Sequence, residues 1–274
     1  IRYESYAAYD SAYQRAATSD VYVDIDYWAV RFSGKFGISA IWDDLKLGAT
    51  ITTPSFAIKK ASGGTDQASL TSNNVLIDTT GAQIDIIASD RQEGLPVHYK
   101  SPFSISAGIE YKISEETLVH FAFEWFAPIS TYVVLQPESG NFVLNDPSEI
   151  KPMDSAERLR VYDSMKSVFN LGIAVEHKLN EKLSGYAAIR TDFSNANYED
   201  INGLAVGFTD FNIYHFTLGA SMNVNDTFVG VGLEYSHGDR PDFPQLFNFP
   251  TGSVEPDDIV LFDKRGTSNA IYNN

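Results

Sequence analysis

Cysteine is absent from the 274 residues. That absence excludes a disulfide framework, a thiolate metal site and a cysteine nucleophile. Positive charge is scarce: 20 Lys and Arg stand against 36 Asp and Glu, a formal net charge of -16. A surface of that sign repels a phosphate backbone, so DNA and RNA are excluded as partners. No stretch approaches the run of about 18 apolar residues that a membrane-spanning helix needs. That test is blind to strands, because in a membrane barrel only alternate residues face lipid. The sequence also lacks the Gly-x-Ser-x-Gly elbow and the His-Glu-x-x-His zinc pair. Neither catalysis nor a cofactor or metal is expected. The chain opens on Ile1 with neither Met nor a signal peptide, as a mature form or a piece of a longer chain would.

What the sequence does hold is a series of hairpins with tight turns. The first runs Gly37–Trp42, turn Asp43-Asp44, Leu45–Ile51. The second runs Ile105–Lys112, turn 113–117, Leu118–Trp125. The third runs Leu171–His177, turn 178–182, Leu183–Arg190, and the fourth Leu218–Val224, turn Asn225-Asp226, Thr227–Tyr235. Within them apolar residues recur at every second position. Ile105, Ala107, Ile109 and Tyr111 oppose Ser104, Ser106, Gly108 and Glu110, for example, and Val229, Val231, Leu233 and Tyr235 oppose Gly230, Gly232 and Glu234. Each apolar face runs about 9–11 residues, the length a tilted strand needs to cross hydrocarbon. Aromatics stand at its ends, at Phe103, Tyr111, Trp125, Phe216 and Tyr235, as in the girdles of membrane barrels. A soluble sandwich also alternates, with its apolar face inward. Short turns at one end and long polar connections at the other favour the membrane.

Those connections run through 57–98, 131–158, 193–210 and 237–257 and hold most of the Gly, Pro, Asn and Asp. Loops of such length are functional or disordered. Within the first, Val75–Asp78 and Gln83–Ile87 form a candidate strand pair. Within the second, Asp154 is a candidate cap for a short helix through Arg158–Met165, while 160–168 also reads as the start of the next strand. Between Val21 and Ile41 the apolar positions switch from odd to even near Tyr27-Trp28, which calls for a bulge or for two strands and a bend.

Among polar residues, His120 and Glu124 share a strand face about 13 Å apart, too far for a base–acid pair. His215 and Ser221 are similarly separated. Asp20, Asp24 and Asp26 alternate on one face, as a divalent-cation site or, more simply, as a solvated acidic face. Asn225-Asp-Thr227 matches a glycosylation sequon, but Asn-Asp there is ordinary turn chemistry. Gly219, Gly230 and Gly232 admit a close approach of plug or backbone. Arg31, Lys35, Arg190, Glu110 and Glu176 fall on the presumed lumen face, where charge is tolerated; on the lipid face an Arg costs about 2–4 kcal/mol at mid-depth. Phe243, Leu246, Phe247 and Phe249 cluster near Pro244 and Pro250, as a ligand-capture patch or as a loop packed on its neighbour.

Several segments together resemble the outer-membrane transport proteins of the FadL/TodX type, in the versions found in Bacteroidetes-like Gram-negative bacteria. Trp42–Pro54 is similar to the family's hairpin ending in a Ser/Thr-Pro step, and Leu95–Tyr111 to its proline-then-alternating-strand segment. Glu124-Trp125 stands where the family often carries an acidic–aromatic pair, and Lys178–Lys182 with Arg190–Phe193 resembles its next hairpin. Nothing at 1–20 matches the family's N-terminal hatch, and Ile271–Asn274 does not look like a closing strand. The resemblance implies an all-β, antiparallel transmembrane β-barrel of about fourteen strands when complete. This chain, with about ten strands counted, reads as a single barrel domain over 1–274 without hatch or closing strand. It further implies a monomer in the bacterial outer membrane, in contact with lipid and lipopolysaccharide, for passive uptake of hydrophobic small molecules such as long-chain fatty acids. Such ligands are captured at apolar loops and leave sideways through the wall or past the hatch. The candidate ligand-binding residues are His120, Glu124 and Arg190 on the lumen face and Phe243, Leu246, Phe247 and Phe249 in the loop. The competing expectations are a barrel with a structural or adhesive role and a soluble β-sheet binding protein.

Overall fold

The computed structural model describes residues 2–10, 15–76, 83–145, 153–197, 201, 204–205, 210–224, 227–244 and 267–273. In chain order the strands are β1 (Arg2–Asp10), β2 (Arg15–Phe32), β3 (Lys35–Trp42), β4 (Leu45–Thr52), β5 (Phe56–Leu76), β6 (Gln83–Leu95), β7 (Ser104–Lys112), β8 (Thr117–Phe126) and β9 (Ile129–Leu135). They continue as β10 (Val143–Leu144), β11 (Val161–Met165), β12 (Val168–Lys178), β13 (Leu183–Asp192), β14 (Leu204–Ala205), β15 (Asn212–Val224), β16 (Thr227–Pro244) and β17 (Thr267–Asn273). One short helix, α1 (Ser155–Arg158), precedes β11.

Nine strands form the largest sheet, in the order β17-β16-β15-β13-β12-β8-β7-β4-β3. Every neighbouring pair is antiparallel. The four hairpins expected from the sequence all lie in it. Asp43, in the turn between β3 and β4, has φ of 24°, the left-handed side that a two-residue hairpin turn demands and Asp tolerates. The turn at 225–226 lies outside the described residues.

The pleat sorts the side chains of this sheet. One face presents Phe36 and Ile38 of β3, Phe121 of β8, Ile173 of β12, Leu218 of β15, and Val231 and Leu233 of β16, all exposed. Leu218 and Leu233 stand opposite each other and are 68% and 81% exposed. Rings gather at both ends of this face. Trp125 and Phe169 (6.3 Å between centroids) and Phe216 and Tyr235 (6.4 Å) stand on the loop side. Trp42 and Tyr111 stand next to the short turns. In water each such Leu or Phe forgoes about 1.5–3 kcal/mol of burial. A contiguous apolar band this wide with aromatic borders is a lipid-facing surface, and the nine strands are the wall of an antiparallel transmembrane β-barrel. β3 and β17 each keep one edge unpaired among the described residues.

A five-stranded sheet, β1-β2-β5-β6-β10, and a three-stranded sheet, β14-β11-β9, stand beyond the loop end of the wall. They share the buried apolar core. Val21, Val23, Leu70, Ile86 and Ala88 from the first meet Leu135, Val161 and Leu204 from the second, with Leu159 just after α1. The two regions are continuous through one hairpin. β2 leads into β3 across Ser33-Gly34, and β4 leads into β5 across 53–55, so pairing runs from Trp42 opposite Leu45 out to Thr18 opposite Asn73. The break is stitched by Thr53 N–H, which donates to the Gly34 carbonyl at 2.9 Å, and by Gly34 N–H, which donates to Thr53 Oγ1 at 2.9 Å.

This hairpin explains the switch of apolar positions near Tyr27-Trp28. The alternation of faces does not slip there. Val21 and Val23 are buried and Tyr27 and Ala29 pack on the core, all at odd positions, while Asp26, Trp28, Val30 and Phe32 at even positions point outward and are exposed. What changes is the medium outside, from water beside Asp26 to lipid beside Val30 and Phe32. A bulge does occur, between Ala29 and Arg31, and the strand breaks at Ser33-Gly34, but neither is the cause of the switch.

Several expectations are corrected. The described strands number seventeen, not about ten. Most of 57–98 is not loop but β5 and β6, with Val75 opposite Ile84 as the sequence suggests. Residues 131–135 belong to β9 and 237–244 to β16. The glycine-rich and acidic runs there look like loops because, beyond the membrane, the outward face is polar and the inward face small. Residues 267–273 also form a strand, β17, paired to β16. The helix capped by Asp154 stops at Arg158 instead of reaching Met165; Ala156 N–H donates to Asp154 Oδ1 at 3.0 Å. Val161 and Tyr162, β-branched and aromatic, continue as β11 against β9.

Candidate functional site

Opposite the lipid face, the register lines inward residues into rungs. One rung reads Ser39, Gly48, Gly108, Ala122, Gly172, Arg190, His215 and Ser236, from β3 to β16. The next rung toward the short turns reads Ile41, Lys46, Glu110, His120, Ala174, Ala188, Thr217 and Glu234. The next toward the loops begins Gly37, Thr50, Ser106, Glu124 and Asn170. The middle rung from β3 to β12 carries almost no side-chain volume. A cavity of about 840 Å³ lies there, floored by Gly48, Gly108, Ala122 and Gly172 and bordered by His120, Glu124, Asn170 and Arg190.

Most charges on this face are paired. Lys46 Nζ lies 2.7 Å from Glu110, and His120 Nδ1 lies 3.6 Å from the other oxygen of that carboxylate. Arg190 Nη2 lies 3.8 Å from Glu234 and 3.4 Å from His215 Nδ1. Thr217 donates to Glu234 at 3.3 Å. His215 is buried, and its Nδ1 lies 2.7 Å from Ser236 Oγ and 3.2 Å from Glu234 Oε1. Serine and carboxylate thus meet the same ring nitrogen. A catalytic triad needs them on opposite nitrogens, and His215 Nε2 is buried without a partner.

Of the residues expected to bind ligand, His120, Glu124 and Arg190 border the cavity. Arg190 is on the inner face, since its strand neighbour Ile189 pairs with the outward Phe216. Leu246, Phe247 and Phe249 lie outside the described residues; the backbone of Phe243 belongs to β16, and its side chain lies outside them too. Gly219 and Gly232 do admit a close approach, by the ring of Tyr186 from β13. Lys46, Thr217, Glu234 and Ser236 were not candidates on sequence grounds. A two-residue turn at 225–226 by itself sets His215 opposite Ser236 and Thr217 opposite Glu234, so that part was readable.

At the junction of wall and core, rings and charges interlock. Tyr27 stacks on Tyr99 at 6.1 Å, and the Arg31 guanidinium lies 4.4 Å over Tyr99. Tyr132 donates to Asp163 at 2.9 Å and accepts from Lys100 N–H at 3.0 Å. Burial pushes the Tyr27 hydroxyl up to about 12 and raises Asp163 above the usual carboxylate range. Deeper in the core, Asp66 is fully buried and has no ion-pair partner among the described residues; burial pushes it up to about 8, although the Gln67 backbone N–H acts to lower it. Outside, Asp20 accepts from Tyr3 at 2.6 Å and Asp24 from Tyr22 at 3.2 Å. Among the described residues no three His, Asp or Glu gather as a metal site would require. No described helix is long and apolar enough to cross a membrane, which says nothing of strands.

No family model matches the chain. No curated protein matches it either. Among solved structures it is similar to the CymD monoaromatic hydrocarbon channel, at 14% identity and a TM-score of 0.43, over 81% of this chain and 52% of that one. The chain therefore spans about half the length of that channel.

Proposed function

We propose that this chain is the wall and outer extension of an outer-membrane channel that passes hydrophobic small molecules passively. The observation that carries the reading is the pairing of a lipid-facing apolar band with a cavity of about 840 Å³ on the opposite face, floored by glycine and alanine. A backbone floor offers an apolar solute close contact without hydrogen-bonding side chains to desolvate. An apolar solute crosses a lipopolysaccharide surface and an aqueous pore poorly, so an internal route through the protein lowers its barrier. Long-chain fatty acids and aromatic hydrocarbons both belong to this class of solute. The chain is not an enzyme in this reading, in keeping with the shared ring nitrogen of Ser236 and Glu234 on His215.

The test is uptake of a neutral fluorescent hydrophobe, N-phenylnaphthylamine, by cells with intact lipopolysaccharide that do or do not express the protein. Faster accumulation is expected with the protein. Filling the floor, with Gly108→Leu and Gly172→Leu together, should return uptake to background while an outer-membrane band persists. Equal uptake with and without the protein would instead leave a structural or adhesive barrel.

A further inference from the structure

Among the described residues, Glu124 differs from the other charged groups bordering the cavity in having no partner. Arg190 is turned toward β15 and β16, where Glu234 and His215 hold it. His120 is directed to Glu110, which also holds Lys46. Glu124 makes no hydrogen bond or ion pair among the described residues. Its cross-strand neighbours, Ser106 and Asn170, are uncharged. The Asn170 side-chain oxygen is occupied, accepting from Phe193 N–H at 2.7 Å. Lys35 also faces inward by register, but it stands on the edge strand beyond Gly37 and does not line the cavity.

We infer that Glu124 sets the charge preference of the cavity, which takes neutral or cationic amphiphiles and disfavours carboxylates. The inference rests on the channel reading above and narrows it away from fatty acids. A carboxylate that enters meets one uncompensated like charge, while the bordering cation is already committed to a protein carboxylate. To bind Arg190 it would have to displace Glu234. A cationic head group finds in Glu124 a carboxylate with free lone pairs, and a neutral hydrocarbon is indifferent to it. Rings or single charges on a channel wall discriminate between ions in this way. At the few-ångström separations available beside a low-dielectric wall, one such charge is worth about tenfold in relative affinity.

The experiment uses the full chain in zwitterionic nanodiscs and three fluorescent probes. They are dansyl-aminoundecanoate, the matching dansyl-alkyl trimethylammonium, and neutral N-phenylnaphthylamine, each corrected for binding to protein-free discs. The expected result is that the ammonium probe binds about tenfold more tightly than the carboxylate. In Glu124→Gln this ratio should fall toward one, and in Glu124→Lys it should invert. Glu124→Asp should keep the parent's order. Unboiled gel mobility reports whether each variant still folds as a barrel. If the neutral probe binds but the ratio is near one in the parent, or persists in Glu124→Gln, the inference is overturned and the channel reading stands. If the neutral probe does not bind at all, the channel reading fails and takes this inference with it.

Discussion

Burial makes Asp66 a titration probe of the extramembrane core. Its carboxyl titrates near 8 in the fold, against about 4 in an unfolded chain. Between those values the folded chain holds a proton that the unfolded chain has released. Stability therefore falls as pH rises from about 4 to about 8 and levels off above. Asp66→Asn keeps the shape and removes the ionisation. Its stability should lack this component of the pH dependence and exceed the parent's at alkaline pH, by a few kcal/mol at most, on the order of what one buried charge costs. Thermal scans of parent and variant across that range check it. Identical pH profiles would mean that Asp66 is ionised or partnered in the fold. Gly219 offers a second check at this scale. A Cβ there would collide with the Tyr186 ring, and one at Gly232 would sit 2.6 Å from its hydroxyl. Gly219→Ala should cost about 1–3 kcal/mol with Tyr186 present and much less in Tyr186→Ala. Additive losses in denaturant titrations would remove Tyr186 from that seat.

At the scale of the element, the long hairpin of β2–β3 with β4–β5 shows what alternation does and does not report. Period two gives the pleat, and every short turn gives a register, which is why the hairpins from β3 to β16 were legible with their partners. Alternation reports the contrast between two faces, however, not which of them is inside. Where the outer medium changes from lipid to water the contrast reverses, and around Ser62–Asp66 small and polar residues on both faces erase it. Contacts between strands far apart in sequence, such as Lys46 with Glu110 or Arg190 with Glu234, depend on sheet order that no turn encodes. That is why these two ion pairs, and hence the unpaired state of Glu124, were not readable. The reversal makes a specific prediction. Asp26 and Ile38 both point outward on the hairpin, on either side of the boundary. Ile38→Arg should destabilise by about 2–4 kcal/mol, whereas Asp26→Arg should stay within about 0.5 kcal/mol. Urea unfolding from lipid vesicles measures both. Equal costs would place the two positions in the same medium.

In the whole molecule three surfaces face three media, and the absence of cysteine allows this to be read site by site. Long connections of membrane barrels lie outside the cell and short turns on the periplasmic side. A single cysteine in place of Glu93, exposed on β6 beyond the wall, should react with a membrane-impermeant maleimide in intact cells. One in place of Glu115, exposed in the turn between β7 and β8, should react only after the outer membrane is permeabilised. One in place of Leu233 should resist the aqueous reagent in both preparations and react only once the protein is unfolded, although that side chain is 81% exposed to anything outside the wall. The third result is the discriminating one, because high geometric exposure with low aqueous reactivity requires lipid over the site. A Leu233→Cys variant labelled as fast as Glu93→Cys in intact cells would mean that water covers the apolar band. The wall would then belong to a soluble β-sheet binder, and the cavity behind it would no longer lie on a route across a membrane.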